Sequence, residues 1–114
     1  HYSAYVKGIH RLHLSAHFKQ ESDESLVHAD TVRSAIVKLG GIAITERDQT
    51  TIIHSTSYKE MLEQALQTET GAAKTYGELL KLIELSGDKE LYDSIEAIYF
   101  AEVRSVEEMR MMMA

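Results

Sequence analysis

Apolar residues recur every three or four positions over long stretches of this chain, and the breaks between stretches are marked by glycine and by one Thr-rich segment. That spacing puts side chains on one face of a helix with 3.6 residues per turn, so it predicts helix over most of the sequence. A first short helix is expected over residues 1–12, with Tyr2, Tyr5, Val6 and Ile9 on one side. A second is expected over 15–39, its apolar stripe formed by Phe18, Leu26, Ala29, Val32, Ile36 and Leu39. Gly40 and Gly41 then stop it, because glycine accepts the left-handed conformation that closes a helix.

Residues 42–56 (IAITERDQTTIIHST) lose helical periodicity and are rich in Thr and Ile, which predicts a long connection with extended pieces. Ser57 and Glu60 have the spacing of a capping box and predict the start of a third helix. Its apolar positions include Met61, Leu62, Leu66, Ala73, Tyr76, Leu80 and Ile83. Ser86-Gly87-Asp88 interrupts the pattern, and a fourth helix is expected over 89–113. Two short loops around one long crossover predict an all-α, antiparallel four-helix bundle, with residues 1–114 forming one domain. The helical pattern is already running at His1, so the first helix is expected to be truncated at its N-terminus.

Composition narrows the function. The net charge of -6 argues against nucleic acid, whose phosphates need clustered Lys and Arg. No apolar run is long enough to span a membrane, and no signal segment opens the chain, so the expected location is the cytoplasm. With no Cys, neither a disulfide nor a thiolate metal site is available.

Three side chains with ligand chemistry fall on the apolar stripes. Glu69 has Leu66 and Ala73 on its face, and Glu102 lies among Ile98, Tyr99 and Val106. Two carboxylates on inward faces call for a cation, a proton or a basic side chain between them. The third is His28, in the acidic stretch ESDESLVHAD; for it, a hydrogen-bonded core histidine and a metal ligand are both open readings. His10, His13 and His17 also have helical spacing but span the expected first turn. Met109, Met112 and Met113 are expected to pack the core from the last helix.

The blocks ESDESLVHAD, IVKLGG, EMLEQALQTETGAAKTYGELL and DKELYDSIEAIYFAEVRSVEEM, in this order and spacing, resemble the ferritin-like family over nearly the whole chain, and the bacterioferritins most closely. The resemblance implies a ferritin-like fold and an iron-storage subunit of a cage, built from copies of this chain or mixed with a more complete ferritin-like subunit. It also implies a ferroxidase, oxidising Fe(II) with O2, wherever the two-metal centre is competent. Carried over residue by residue, the metal ligands fall on His28, Glu69 and Glu102. Ser25 stands where the family has the second-helix Glu, and Ser105 where it has the fourth-helix His; the first-helix Glu would precede His1. Leu26 occupies the haem-binding Met position and offers iron no lone pair, which argues against methionine-ligated haem. Iron is therefore the implied metal, at a depleted centre. The alternatives are a non-catalytic interaction bundle of ferritin ancestry and a single-metal iron or manganese protein.

Overall fold

The computed structural model describes residues 1–114 and contains four helices and no strand. These are α1 (Tyr2–Tyr5), α2 (Arg11–Lys38), α3 (Tyr58–Ser86) and α4 (Lys89–Met113). The all-α class and the long connection between α2 and α3 are as the periodicity predicts. No helix is long and apolar enough to cross a membrane. The chain divides into two compact units, His1–Met61 and Leu62–Ala114, with α3 beginning in the first and continuing through the second.

In the first unit, α1 is shorter than expected and α2 begins earlier. The turn falls at 6–10, where Gly8 has φ 93°, a left-handed conformation that side-chain-bearing residues resist. Arg11 secures the turn: its Nη1 donates to the carbonyls of Ala4 (3.1 Å) and Val6 (2.6 Å), which α1 leaves unused. The Ser15 hydroxyl donates to Ser3 O at 2.7 Å and holds α1 against α2. Val6 and Leu14 are buried, whereas Ile9 and Leu12 are 92% and 89% exposed, so Ile9 is not on the inward side. Leu26 and Leu39, expected on the stripe of α2, are also exposed.

Helix α2 ends as its glycines predict. Gly41 N–H donates to Ile36 O (2.9 Å) and Gly40 N–H to Val37 O (3.0 Å), the paired bonds of a Schellman closure, with Gly40 at φ 83°. Arg33 then reaches Ile44 O at 2.8 Å and draws the connection back along its own helix. At the start of α3 the expected capping box is half formed. Glu60 N–H donates to Ser57 Oγ (3.4 Å), but the Glu60 carboxylate accepts from the Ser55 hydroxyl (2.7 Å). Ser55 Oγ in turn accepts from Ser57 N–H at 3.0 Å, so buried Ser55 relays the second half of the motif.

In the second unit, the turn between α3 and α4 is closed by Ser86, whose hydroxyl donates to Ile83 O at 2.6 Å. Asp88 caps α4 by accepting from Leu91 N–H at 3.0 Å. The buried stripe of α4 runs Ile95, Ile98, Glu102, Val106 and Met109, at intervals of three or four residues. Met109 is fully buried, but Met113 is exposed and Met112 half-buried, so the expected methionine face is only partly inward.

Candidate metal centre

Glu69 and Glu102 both lie on buried stripes of the second unit. On α3, Leu62, Glu69, Tyr76 and Ile83 follow one another at intervals of seven, close to two turns, and so share a face. Glu69 is 8% exposed and Glu102 only 5%, although each bears a carboxylate. Taking one such group out of water costs several kcal/mol unless its surroundings compensate. Both carboxylates are engaged in polar or electrostatic interactions, as are Tyr76 and Ser105.

Tyr76 reports on the pair. Its phenol is pushed above the ordinary tyrosine range by burial first, then by the negative charge of Glu102 and then of Glu69. A phenolate there would be a third negative charge, so the neutral hydroxyl is favoured. Acids from two helices and one phenol thus share a single electrostatic neighbourhood. Lys74 and Arg104, the basic residues closest in sequence to Glu69 and Glu102, are exposed.

Tyr76 lies in the field of both acids, which its periodicity alone did not show. In sequence it reads as one more apolar-face aromatic, and its seven-residue offset from Glu69 was the available signal.

His28 lies on α2 in the first unit, half-buried and engaged in an interaction of its own. Ser25, three residues before it, is exposed, whereas Glu21 and Glu24 are half-buried. The less exposed side of α2 at this level therefore passes through Glu21, Glu24 and His28. Gln20 Nε2 donates to Glu24 Oε1 at 3.2 Å and restrains that carboxylate. Two acidic residues thus share the partial burial of His28, Glu24 four residues and Glu21 seven residues before it.

No group of three or more His, Asp or Glu side chains is gathered closely enough to hold a metal ion. The donor set still has the right chemistry. Carboxylate oxygens suit hard cations such as iron and manganese, and imidazole suits iron. Two carboxylates fall short of the four, with two imidazoles, of a complete two-metal centre in such bundles.

Comparison with known proteins bears on the same point. No curated protein matches the chain. A solved structure described as a ferritin-like, diiron-carboxylate protein from Bacillus anthracis str. Ames superimposes with a TM-score of 0.91. It is 27% identical in sequence, and the match covers 100% of this chain and 81% of that one. The family described as the ferritin-like domain matches residues 1–114. Buried acids on a helical scaffold, this superposition and a family match from end to end agree: the chain belongs to the ferritin-like domain family.

Proposed function

We propose that the protein is an iron-binding subunit of a ferritin-like assembly, with Glu69 and Glu102 as the carboxylates that hold the metal. The observation that carries this reading is the burial of both acids in one unit, with Tyr76 in the field of both. A divalent cation offsets two buried negative charges where a shared proton offsets one. The family pattern assigns the imidazole ligand to His28. The diiron-carboxylate description of the similar Bacillus anthracis structure supports iron as the metal.

Held this way, iron provides Lewis acidity and a one-electron couple. The chain's own residues do the rest: the two carboxylates bind, and the neutral Tyr76 phenol lies in the field of both. Ser25 and Ser105 carry neutral hydroxyls, which add no charge to a ligand shell. The expected activity is accordingly iron storage with weak ferroxidase turnover. Exposed Leu26, Val27, Val37, Ile42 and Ile44 supply apolar surface for packing against further subunits.

Anaerobic Fe(II) titration tests the assignment. The wild-type chain should bind about one iron, and Glu69→Gln with Glu102→Gln should abolish that binding while helix content persists. Undiminished iron binding by the double variant would refute it. The absence of any group of three ligands favours a second reading, a bundle that has lost its metal chemistry and serves as an interaction module. That reading expects no iron binding by the wild-type chain either.

A further inference from the structure

The end of the 42–56 connection and the start of the chain meet at two imidazoles. His1 and His54 are 53 residues apart in sequence, yet His1 Nε2 and His54 Nδ1 lie 2.9 Å from each other, one ring donating to the other. The fold assembles this pair. Tyr2 donates its hydroxyl to Ile53 O at 2.7 Å and anchors the connection beside His54. The Tyr5 ring packs against both imidazoles, its centroid 4.5 Å from His1 and 4.8 Å from His54. The two imidazoles stand nearly perpendicular, at 80°. Both histidines are exposed, so water can reach them.

We propose that His1 and His54 form a surface site for a borderline divalent transition-metal ion, with Cu2+ bound most tightly and Ni2+ and Zn2+ less so. The 2.9 Å separation is that of an N–H···N hydrogen bond, so both exposed rings turn to converge two lone pairs on one ion. The order of divalent affinities at imidazole puts copper above nickel and zinc. In the metal-free pair one ring uses its proton to bridge the two nitrogens. On binding, that ring carries the proton on its other nitrogen, so both rings stay neutral and both facing lone pairs go to the metal. Water completes the shell, and the chain's net charge of -6 favours cation approach.

This site is independent of Glu69 and Glu102. Those are oxygen donors in the second unit, whereas His1 and His54 are nitrogen donors in the first. The order of divalent affinities puts copper far above ferrous iron at imidazole. By tying residue 1 to residue 54, a bound ion would also strengthen the hold of α1 on the connection.

The test is CuCl2 titration of the full chain near neutral pH, with the His1 main-chain nitrogen as an amide so that only side chains bind. Calorimetry should show one tight Cu2+ per chain, and the electron paramagnetic resonance spectrum should show coupling to two imidazole nitrogens. His54→Gln should weaken binding at least tenfold and leave coupling to one nitrogen. His13→Gln, which removes an exposed imidazole of α2 outside the pair, should leave both readouts unchanged. Equal copper affinity in His54→Gln and wild type would overturn the proposal, as would an equal loss in His13→Gln. The nitrogen count is read on the wild-type chain, so a single coupled nitrogen there overturns it whatever the variants do.

Discussion

Gly77 of α3 and Tyr99 of α4 meet so closely that a Cβ at position 77 would lie 3.1 Å from Tyr99 Cε1. The missing side chain lets the ring edge settle against the α3 backbone, one residue from Tyr76. A small residue therefore governs how α3 and α4 approach at the level of the acidic site. Tyr99 borders an open groove with Ala73, Lys74, Lys81 and Glu84, so its ring has room to shift. Gly77→Ala should gain helix propensity of about 1 kcal/mol and lose part of it to that shift. Denaturant unfolding should place it within about 1 kcal/mol of wild type. Gly77→Leu, which the ring cannot accommodate so cheaply, should lose about 1–3 kcal/mol. Equal stability of the two variants would show that the contact is loose.

The phenol of Tyr76 should ionise above the ordinary tyrosine range, read as the difference in ultraviolet pH titration between wild type and Tyr76→Phe. Because its folded pKa is raised, the neutral phenol's contribution to stability is complete below the unfolded pKa and is lost as pH rises through the folded one. The loss thus lies on the alkaline limb, beginning near the unperturbed value of about 10. Glu102→Gln should lower the Tyr76 pKa more than Glu69→Gln, since Glu102 is the stronger of the two charges on it. The reverse order would mean that Glu69 is the closer carboxylate.

Metal addition should stabilise the protein through the two acids. A ligand at a hundred times its Kd adds about 2.7 kcal/mol to the folded state. Fe(II) or Mn(II) under nitrogen should therefore raise the Tm of wild type and leave the Glu69→Gln, Glu102→Gln double variant unmoved. Ser105→His, placing an imidazole one turn after Glu102, should increase iron affinity about tenfold by calorimetry. No gain there would show that position 105 does not face the metal.

Asp88→Ala should cost about 1 kcal/mol in denaturant unfolding, because Leu91 N–H loses its acceptor at the start of α4. Asp88→Ser should retain most of the stability, since its hydroxyl can take the same bond. A full loss in the serine variant would point to the aspartate charge near the helix N-terminus as the larger contribution.

Light scattering at micromolar concentration should show an assembly larger than one chain. The exposed apolar residues of α2 and the connection motivate this, and Val27→Glu with Ile44→Glu should shift the protein toward smaller species. A wild-type monomer would remove the subunit reading of this surface.

Helix content and helix stops were readable from residue order, because the interactions behind them are local. Gly40-Gly41 closes α2 through bonds to residues three and five back, and Asp88 caps α4 three residues on. The inward placement of Glu69 and Glu102 was readable for the same reason, since α3 and α4 have regular apolar spacing. Helix α2 was harder. Its exposed apolar residues, Leu26, Val27, Val37 and Leu39, leave no single stripe to set the phase, so the expected inward positions Leu26 and Leu39 were misplaced. The first turn was misplaced because its strongest signal, Gly8 clamped by Arg11 onto Ala4 and Val6, needs the chain already folded back. Tertiary structure alone decided which groups meet across long separations. Tyr99 rests on Gly77, Tyr76 feels both Glu69 and Glu102, and His54 faces His1, 53 residues away. Periodicity assigns a side chain to a face of its own helix, and only packing determines what stands opposite that face.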